Sequence, residues 1–265
     1  MSGTPGAARR VALVTGGAKR IGAAICEALA ADGWRVAIHS FHSRPDADAL
    51  AHRIGCDGGA AFVVQANLME RADVAGLIEA VTRETGGIDL LVNNAAAFTY
   101  DSVRNVTWES FDTHWRLNVA VPLFLSQAFA SAPGTAPDAD RLIVNLLDQK
   151  LANLNPDFLS YTASKAALAS LNHMLAMALA PAIRVNGIAP GLVLRSGKQS
   201  VANFERAWRA SPLGRNAVPQ DIAGAVRFLI ATTSMTGSVI TIDGGESLGR
   251  RGRDVALDPA VSNES

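Results

Sequence analysis

Runs of apolar residues, each the length of a β-strand, alternate with amphipathic stretches of helical length through almost the whole chain. The strand candidates are RVALVT (10–15), RVAIHS (35–40), AAFVVQ (60–65), IDLLVNNA (88–95), RLIVNLLD (141–148), IRVNGIA (183–189) and SVITID (238–243). Helical patterns lie between them at 20–32, 46–56, 71–85, 108–131, 156–180 and 219–231. Strands written as near-continuous Val/Ile/Leu runs are buried on both faces, which requires helices on both sides of a parallel sheet. The alternation therefore predicts an α/β fold: a single doubly wound, Rossmann-type domain over residues 1–248 with a seven-stranded parallel sheet. At 265 residues, 49% of them hydrophobic, the chain can bury such a core.

Two stretches break the rhythm. APGTAPDAD (132–140) is a turn between a helix and a strand, and 190–216 is long, holds one short helical pattern, and is rich in Gly, Ser and Pro. A long excursion after a strand of such a sheet is a candidate substrate lid. Residues 249–265 have little apolar periodicity and are expected to form a mobile tail.

A formal net charge of zero argues against a nucleic-acid surface or a polybasic membrane contact. No run of about 18 apolar residues occurs and the N-terminus is short and polar, so the expectation is a soluble, cytoplasmic protein. Cys26 and Cys56 lack paired spacing and read as reduced thiols; the five histidines do not cluster, and no metal is expected.

TGGAKRIG (15–22) follows the first strand and opens the first helix. Glycines there let the backbone approach a pyrophosphate, and the free N–H groups of the helix start face its charge. The second strand ends in HSFHSRP, where His39, Ser40, His42, Ser43 and Arg44 precede the first acid, Asp46. NAD selectivity asks for an acid at this place, so the residues favour NADPH, with a solvated polar loop as the alternative. Asn67 and Leu68 follow the third strand, where the adenine would lie. Asn94 and Ala95 follow the fourth, and Asn93 beside them reads more readily as a tie between strands.

Asn155 and Pro156 look like the start of a long helix that carries Tyr161 and Lys165 four residues apart on one face. A nearby ammonium favours phenolate, which predicts a tyrosine pKa below its usual value of about 10.

TGGAKRIG, NNA, Asn118 in RLNVAVP, YTASK, the Pro190–Gly191 of IAPGL and a terminal strand running into DGG together resemble the short-chain dehydrogenase/reductase family over residues 9–247. The resemblance implies that Tyr161 is the general acid, that Lys165 holds the nicotinamide ribose, and that Asn118 supports a proton-relaying water. Gly16, Lys19, Arg20, Ile21 and Gly22 would line the pyrophosphate. It also implies a homo-oligomer, commonly a tetramer, through helices 108–131 and 156–180.

Asp148 stands where that family usually has a serine. An ionised carboxylate repels a developing alkoxide, so Asp148 is either protonated, an acceptor for a substrate N–H, or the mark of a chain without activity. Reduction of a C=N bond fits the first two. The pteridine, dihydromonapterin and dihydrofolate reductases of short-chain type resemble this sequence in Asp148, in Arg20, in HSFHSR and in Phe98, which in that resemblance stacks on the pterin. The reading is an NADPH-dependent reductase of a pterin-like substrate bound by Arg20, Phe98, Asp148 and Tyr161. The alternatives are a carbonyl or alcohol oxidoreductase of the same family, and a catalytically idle NADPH-binding protein.

Overall fold

The computed structural model describes residues 9–195 and 199–258. Seven strands, β1 (Val11–Val14), β2 (Arg35–Ser40), β3 (Ala60–Gln65), β4 (Leu90–Asn93), β5 (Arg141–Leu146), β6 (Ile183–Pro190) and β7 (Val239–Ile242), form one parallel sheet in the order β3-β2-β1-β4-β5-β6-β7. The helices are α1 (Arg20–Ala31), α2 (Arg44–Cys56), α3 (Arg71–Thr85), α4 (Trp108–Trp115), α5 (Val121–Ser131), α6 (Leu159–Leu179), α7 (Val201–Arg209) and α8 (Pro219–Ala231). Alternate residues of each strand feed opposite layers. Ala12 and Val14 of β1 join Ile25 and Leu29 of α1, Leu50 of α2, and Ile222, Val226 and Leu229 of α8; Val11 and Leu13 join Leu77 and Ile78 of α3 and Leu125 and Phe129 of α5. The predicted doubly wound α/β sheet is the fold of the chain. No helix among the described residues is long and apolar enough to cross a membrane.

The chain winds from β1 outward to β3 and then returns to β4 on the other side of β1. Connections leaving β1 and β4 therefore diverge, opening a crevice at their carboxyl ends, which is where such sheets hold ligands.

Two helices depart from expectation. The 108–131 pattern is one rod interrupted by a π-turn at Arg116–Ala120, in which Val121 N–H bonds back to the Arg116 carbonyl. Pro122 accounts for it: with no N–H to give, it frees the carbonyl of Asn118, and the widened turn sets the Asn118 side chain on the inner side. The second helix begins at Leu159 rather than 156, because the Asn155 side chain accepts from Asp157 N–H (3.2 Å) and Phe158 takes a left-handed φ of 53°. Its first turn is capped from far away, Asp101 Oδ1 accepting the Ser160 N–H at 3.0 Å. Local sequence cannot reveal a cap that comes from 59 residues upstream.

Candidate active site

A cleft of about 950 Å³ runs along the crevice from the glycine turn to the start of α6. At its cofactor end Gly16 sits at φ +61°, and a Cβ on Gly22 would lie 2.3 Å from the Gly16 carbonyl oxygen, so both positions admit only glycine without rearrangement. Asn94 staples this turn: its side-chain amide donates to the carbonyls of Thr15 (2.8 Å) and Gly16 (3.1 Å), while Thr15 Oγ1 accepts from the backbone of Asn94 and Ala95. Asn93 Nδ2 donates to Asn145 Oδ1 and Asn145 Nδ2 donates to Asn172 Oδ1, a buried amide chain linking β4, β5 and α6.

Gly16, Lys19, Arg20, Ile21 and Gly22 line the cleft together, as do Ser40, His42, Ser43, Asn67, Leu68, Asn94, Ala95, Pro190 and Gly191. Ser40 is 3% exposed, yet its hydroxyl has no partner among the described residues. Several expected ligand residues have partners within the protein, Lys19 among them, whose ammonium pairs with Asp46 at 2.8 Å. Both ring nitrogens of His39 are spent on main chain, Nδ1 accepting from Gly16 N–H (3.0 Å) and Nε2 donating to Ala66 (3.1 Å). Burial lowers its pKa and keeps it neutral, so His39 braces the glycine turn. Arg44 turns away from the cleft to pair with Asp48 at 2.9 Å, one helical turn on. Asn67 Oδ1 accepts from Met69 N–H (3.0 Å), which holds the amide in a local turn. Arg20, in the left-handed region at φ 56°, reaches across the cleft and donates to the carbonyl of Arg195 (3.0 Å).

At the other end, the turn after β5 presents Asp148 to α6. Tyr161 donates its phenolic hydrogen to Asp148 Oδ2 at 2.6 Å, and Lys150 N–H donates to Oδ1 at 2.8 Å. Burial drives the Asp148 pKa upward, against the opposing pull of these two hydrogen bonds and of Lys165 and Lys150. Burial and then the Asp148 charge push Tyr161 well above 10. This reverses the expectation of a lowered tyrosine. Lys165 Nζ donates to the Leu146 carbonyl at 2.6 Å and lies 5.8 Å from the Tyr161 ring, and burial brings its own pKa down to about 8. Burial first, and then the carboxyl beside the phenol, set the direction of the tyrosine's shift. Asn118 stands outside the cleft. Its amide accepts from Ala97 N–H (2.8 Å) and donates to the Ala97 carbonyl (3.1 Å) and Ser164 Oγ (3.0 Å), a tie between the loop after β4 and α6.

Phe98 enters the cleft, stacked on Phe158 at 4.6 Å and edge-on to Tyr161 at 4.7 Å. Phe158 escaped the sequence reading because nothing in FLSYTASK distinguishes it from a core aromatic. So did Lys150 and Asp254, paired at 3.0 Å, and Glu246, whose pKa burial raises to about 7; all three line the cleft. Asp254 belongs to the segment expected to be a mobile tail. Its described part reaches the site, where Asp254, Val255 and Ala256 line the cleft. Arg253 makes a forked pair with Asp157 (2.8 Å to each oxygen), Asp157 also accepts Asp254 N–H (2.8 Å), and Val255 is buried with Ala207 of α7. One apolar anchor and polar contacts spread over distant loops leave no periodic trace in a sequence.

Ser160, His114 and Asp101 also meet, with Ser160 Oγ bonded to Asp101 Oδ2 and 2.7 Å from His114 Nδ1. They are buried and outside the cleft. Thr99 N–H donates to His114 Nε2 (3.2 Å), which assigns the ring proton to Nδ1 and leaves no base free to activate the serine. The trio is structural and anchors the first turn of α6.

The arrangement offers a glycine-lined seat for a phosphate-bearing cofactor, an aromatic wall, and a shared proton between a carboxyl and a phenol. A protein-family model described as "Enoyl-(Acyl carrier protein) reductase", of short-chain type, matches residues 16–247. Among solved structures, FolM alternative dihydrofolate reductase 1 of Brucella canis, complexed with NADP, is 42% identical and superimposes with a TM-score of 0.88 over 94% of this chain and 98% of that one. An uncharacterized oxidoreductase of Methylorubrum extorquens is 36% identical over 244 residues, 89% of this chain and 97% of the relative. Pteridine reductase 1 of Leishmania tarentolae is 31% identical over 284 aligned positions, 91% of this chain and 97% of the relative.

Proposed function

The chain belongs to the short-chain dehydrogenase/reductase family, and on that premise we propose that it is an NADPH-dependent reductase of a C=N bond in a pterin-like, flat nitrogen heterocycle. The observation that carries this reading is the 2.6 Å bond between Tyr161 and Asp148. With the pKa of both groups raised, the pair holds a proton and gives it up to a base stronger than a carbonyl oxygen. NADPH, when bound, supplies the hydride. The glycine turn would take its pyrophosphate, and the unpartnered Ser40 hydroxyl, with His42 and Ser43 lining the same cleft, suits a 2′-phosphate.

The balance is simple: the substrate carbon gains the hydride, the nitrogen takes the proton of Tyr161, and Tyr161 is reprotonated through Asp148. Lys165 would hold the nicotinamide ribose and would stabilise the phenolate while it exists. Asn118 acts as a positioning residue for the Ala97 loop. Phe98 gives the flat ring a face to lie against. The names of the Brucella and Leishmania relatives, a dihydrofolate reductase and a pteridine reductase, support the substrate class.

The raised Asp148 pKa also favours a second reading, reduction of a ketone by a protonated carboxyl standing in for a serine. NADPH oxidation measured with dihydrobiopterin, dihydrofolate and a panel of ketones separates the two. Turnover of the dihydropterin or dihydrofolate is expected; good ketone turnover with none of either refutes the assignment. A homotetramer is part of the same reading. Trp108 and Trp115 of α4, Phe124 of α5 and Met174 and Met177 of α6 are exposed apolar side chains on those two helical stretches, which supports it, and light scattering tests it.

A further inference from the structure

We infer that Asp254, brought to the cleft by the C-terminal segment, is a specificity-determining residue that accepts N–H bonds from the edge of a flat substrate ring. The inference rests on the reductase reading above and names a further group of that site.

Lys150 is 5% exposed and its ammonium lies 5.0 Å from the Phe158 ring, the ring on which Phe98 stacks. Asp254 Oδ2 takes that ammonium at 3.0 Å, which places a carboxylate one ion pair away from the aromatic wall. The N–H donors of a flat ring lie in its plane, so a carboxylate can meet them only along the ring's edge. Asp254 is held on three sides: by Lys150, by its own N–H on Asp157 Oδ2 (2.8 Å), and by Ala256 N–H on its Oδ1 (3.1 Å). Neighbouring Arg253 and Val255 fix the backbone to Asp157 and to α7. Each carboxylate oxygen has two acceptor sites, and these contacts use one on each. The remaining sites belong to a group that lines the cleft with Asp148 and Glu246. A carboxylate with acceptor sites to spare favours a ligand with N–H donors on its edge, such as a ring nitrogen beside an exocyclic amine.

The test uses the full-length protein saturated with NADP and measures binding of a dihydropterin and of its analogue lacking the 2-amino group. Wild type is expected to prefer the amine by about tenfold, the scale of one hydrogen bond to a charged acceptor. Asp254→Asn should reduce that preference to within about twofold while the Kd for NADP stays unchanged. Lys150→Gln, which leaves the carboxylate in place, should keep the preference. Equal preference in wild type and Asp254→Asn overturns the inference and leaves the reductase reading standing. Equal loss in both variants also overturns it, since it assigns the pair a merely structural role. Wild type that binds neither pterin defeats the reductase reading and the inference with it.

Discussion

Replacing Asp148 with Asn removes the proton and keeps the shape. Oδ1 can still accept the Lys150 N–H, which leaves an NH₂ facing Tyr161 where the wild type has an acceptor 2.6 Å away. The phenol can then no longer draw a proton from its neighbour. General acid participation is worth about 10²–10⁴ in rate, roughly 3–5 kcal/mol of barrier. Tyr161 itself remains, so the loss should fall near the lower end, about 10² in kcat with dihydropterin, while the Kd for NADPH is unchanged. Stability should move the other way. The Asp148 carboxyl has a folded pKa above its unfolded value of 3.8, so the folded protein binds that proton more tightly. Wild-type stability is therefore lost as pH rises from the unfolded pKa through the folded one, by about 1.4 kcal/mol for each pH unit between them. Asn does not titrate. The stability difference, followed by urea unfolding from pH 3 to 8, should grow in favour of Asn across that window and level off above it. A difference that is constant with pH, or a variant with unchanged kcat, refutes the reasoning.

Tyr161→Phe should lower turnover by about 10³-fold or more and leave NADPH binding intact, as read by fluorescence of the bound dinucleotide. An inactive wild type that still binds would instead identify a cofactor sensor. Ser40→Ala should weaken NADPH binding by about tenfold and leave NADH unchanged, measured by titration calorimetry; equal effects on both would remove Ser40 from the 2′-phosphate site. Gly22→Ala must push its Cβ away from Gly16 O (2.3 Å) and Asn94 Nδ2 (2.8 Å), which should cost about 1–3 kcal/mol of stability and weaken NADPH binding more than tenfold. Thermal melts with and without cofactor read both effects.

The sheet, its parallel sense and its two helical layers were legible because burial on both faces imposes a pattern on every strand, and the pattern is local. The glycine turn was legible for the same reason: Gly16 and Gly22 answer to backbone constraints a few residues wide. Tyr161, Lys165 and Asp148 could be picked out by type and spacing. What they do to one another could not. The sequence puts Lys165 one turn from Tyr161 and suggests a lowered phenol pKa, whereas the fold buries the phenol, sets Asp148 against its hydroxyl and points the ammonium at Leu146, so the shift has the opposite sign. Electrostatics depends on distance in space, and thirteen residues of chain say nothing about 2.6 Å. His39 and Arg44 have the right chemistry for a phosphate but are consumed by Gly16, Ala66 and Asp48. The late start of α6, capped by Asp101, and the C-terminal segment brought to the cleft by Arg253, Asp254 and Val255 are likewise decided by partners far away in the chain. Sequence by itself determined which backbone could form and which chemical groups it carries. Only the tertiary structure decided which of those groups face one another, because burial and long-range pairing, and not residue type, set their charge and their freedom to react.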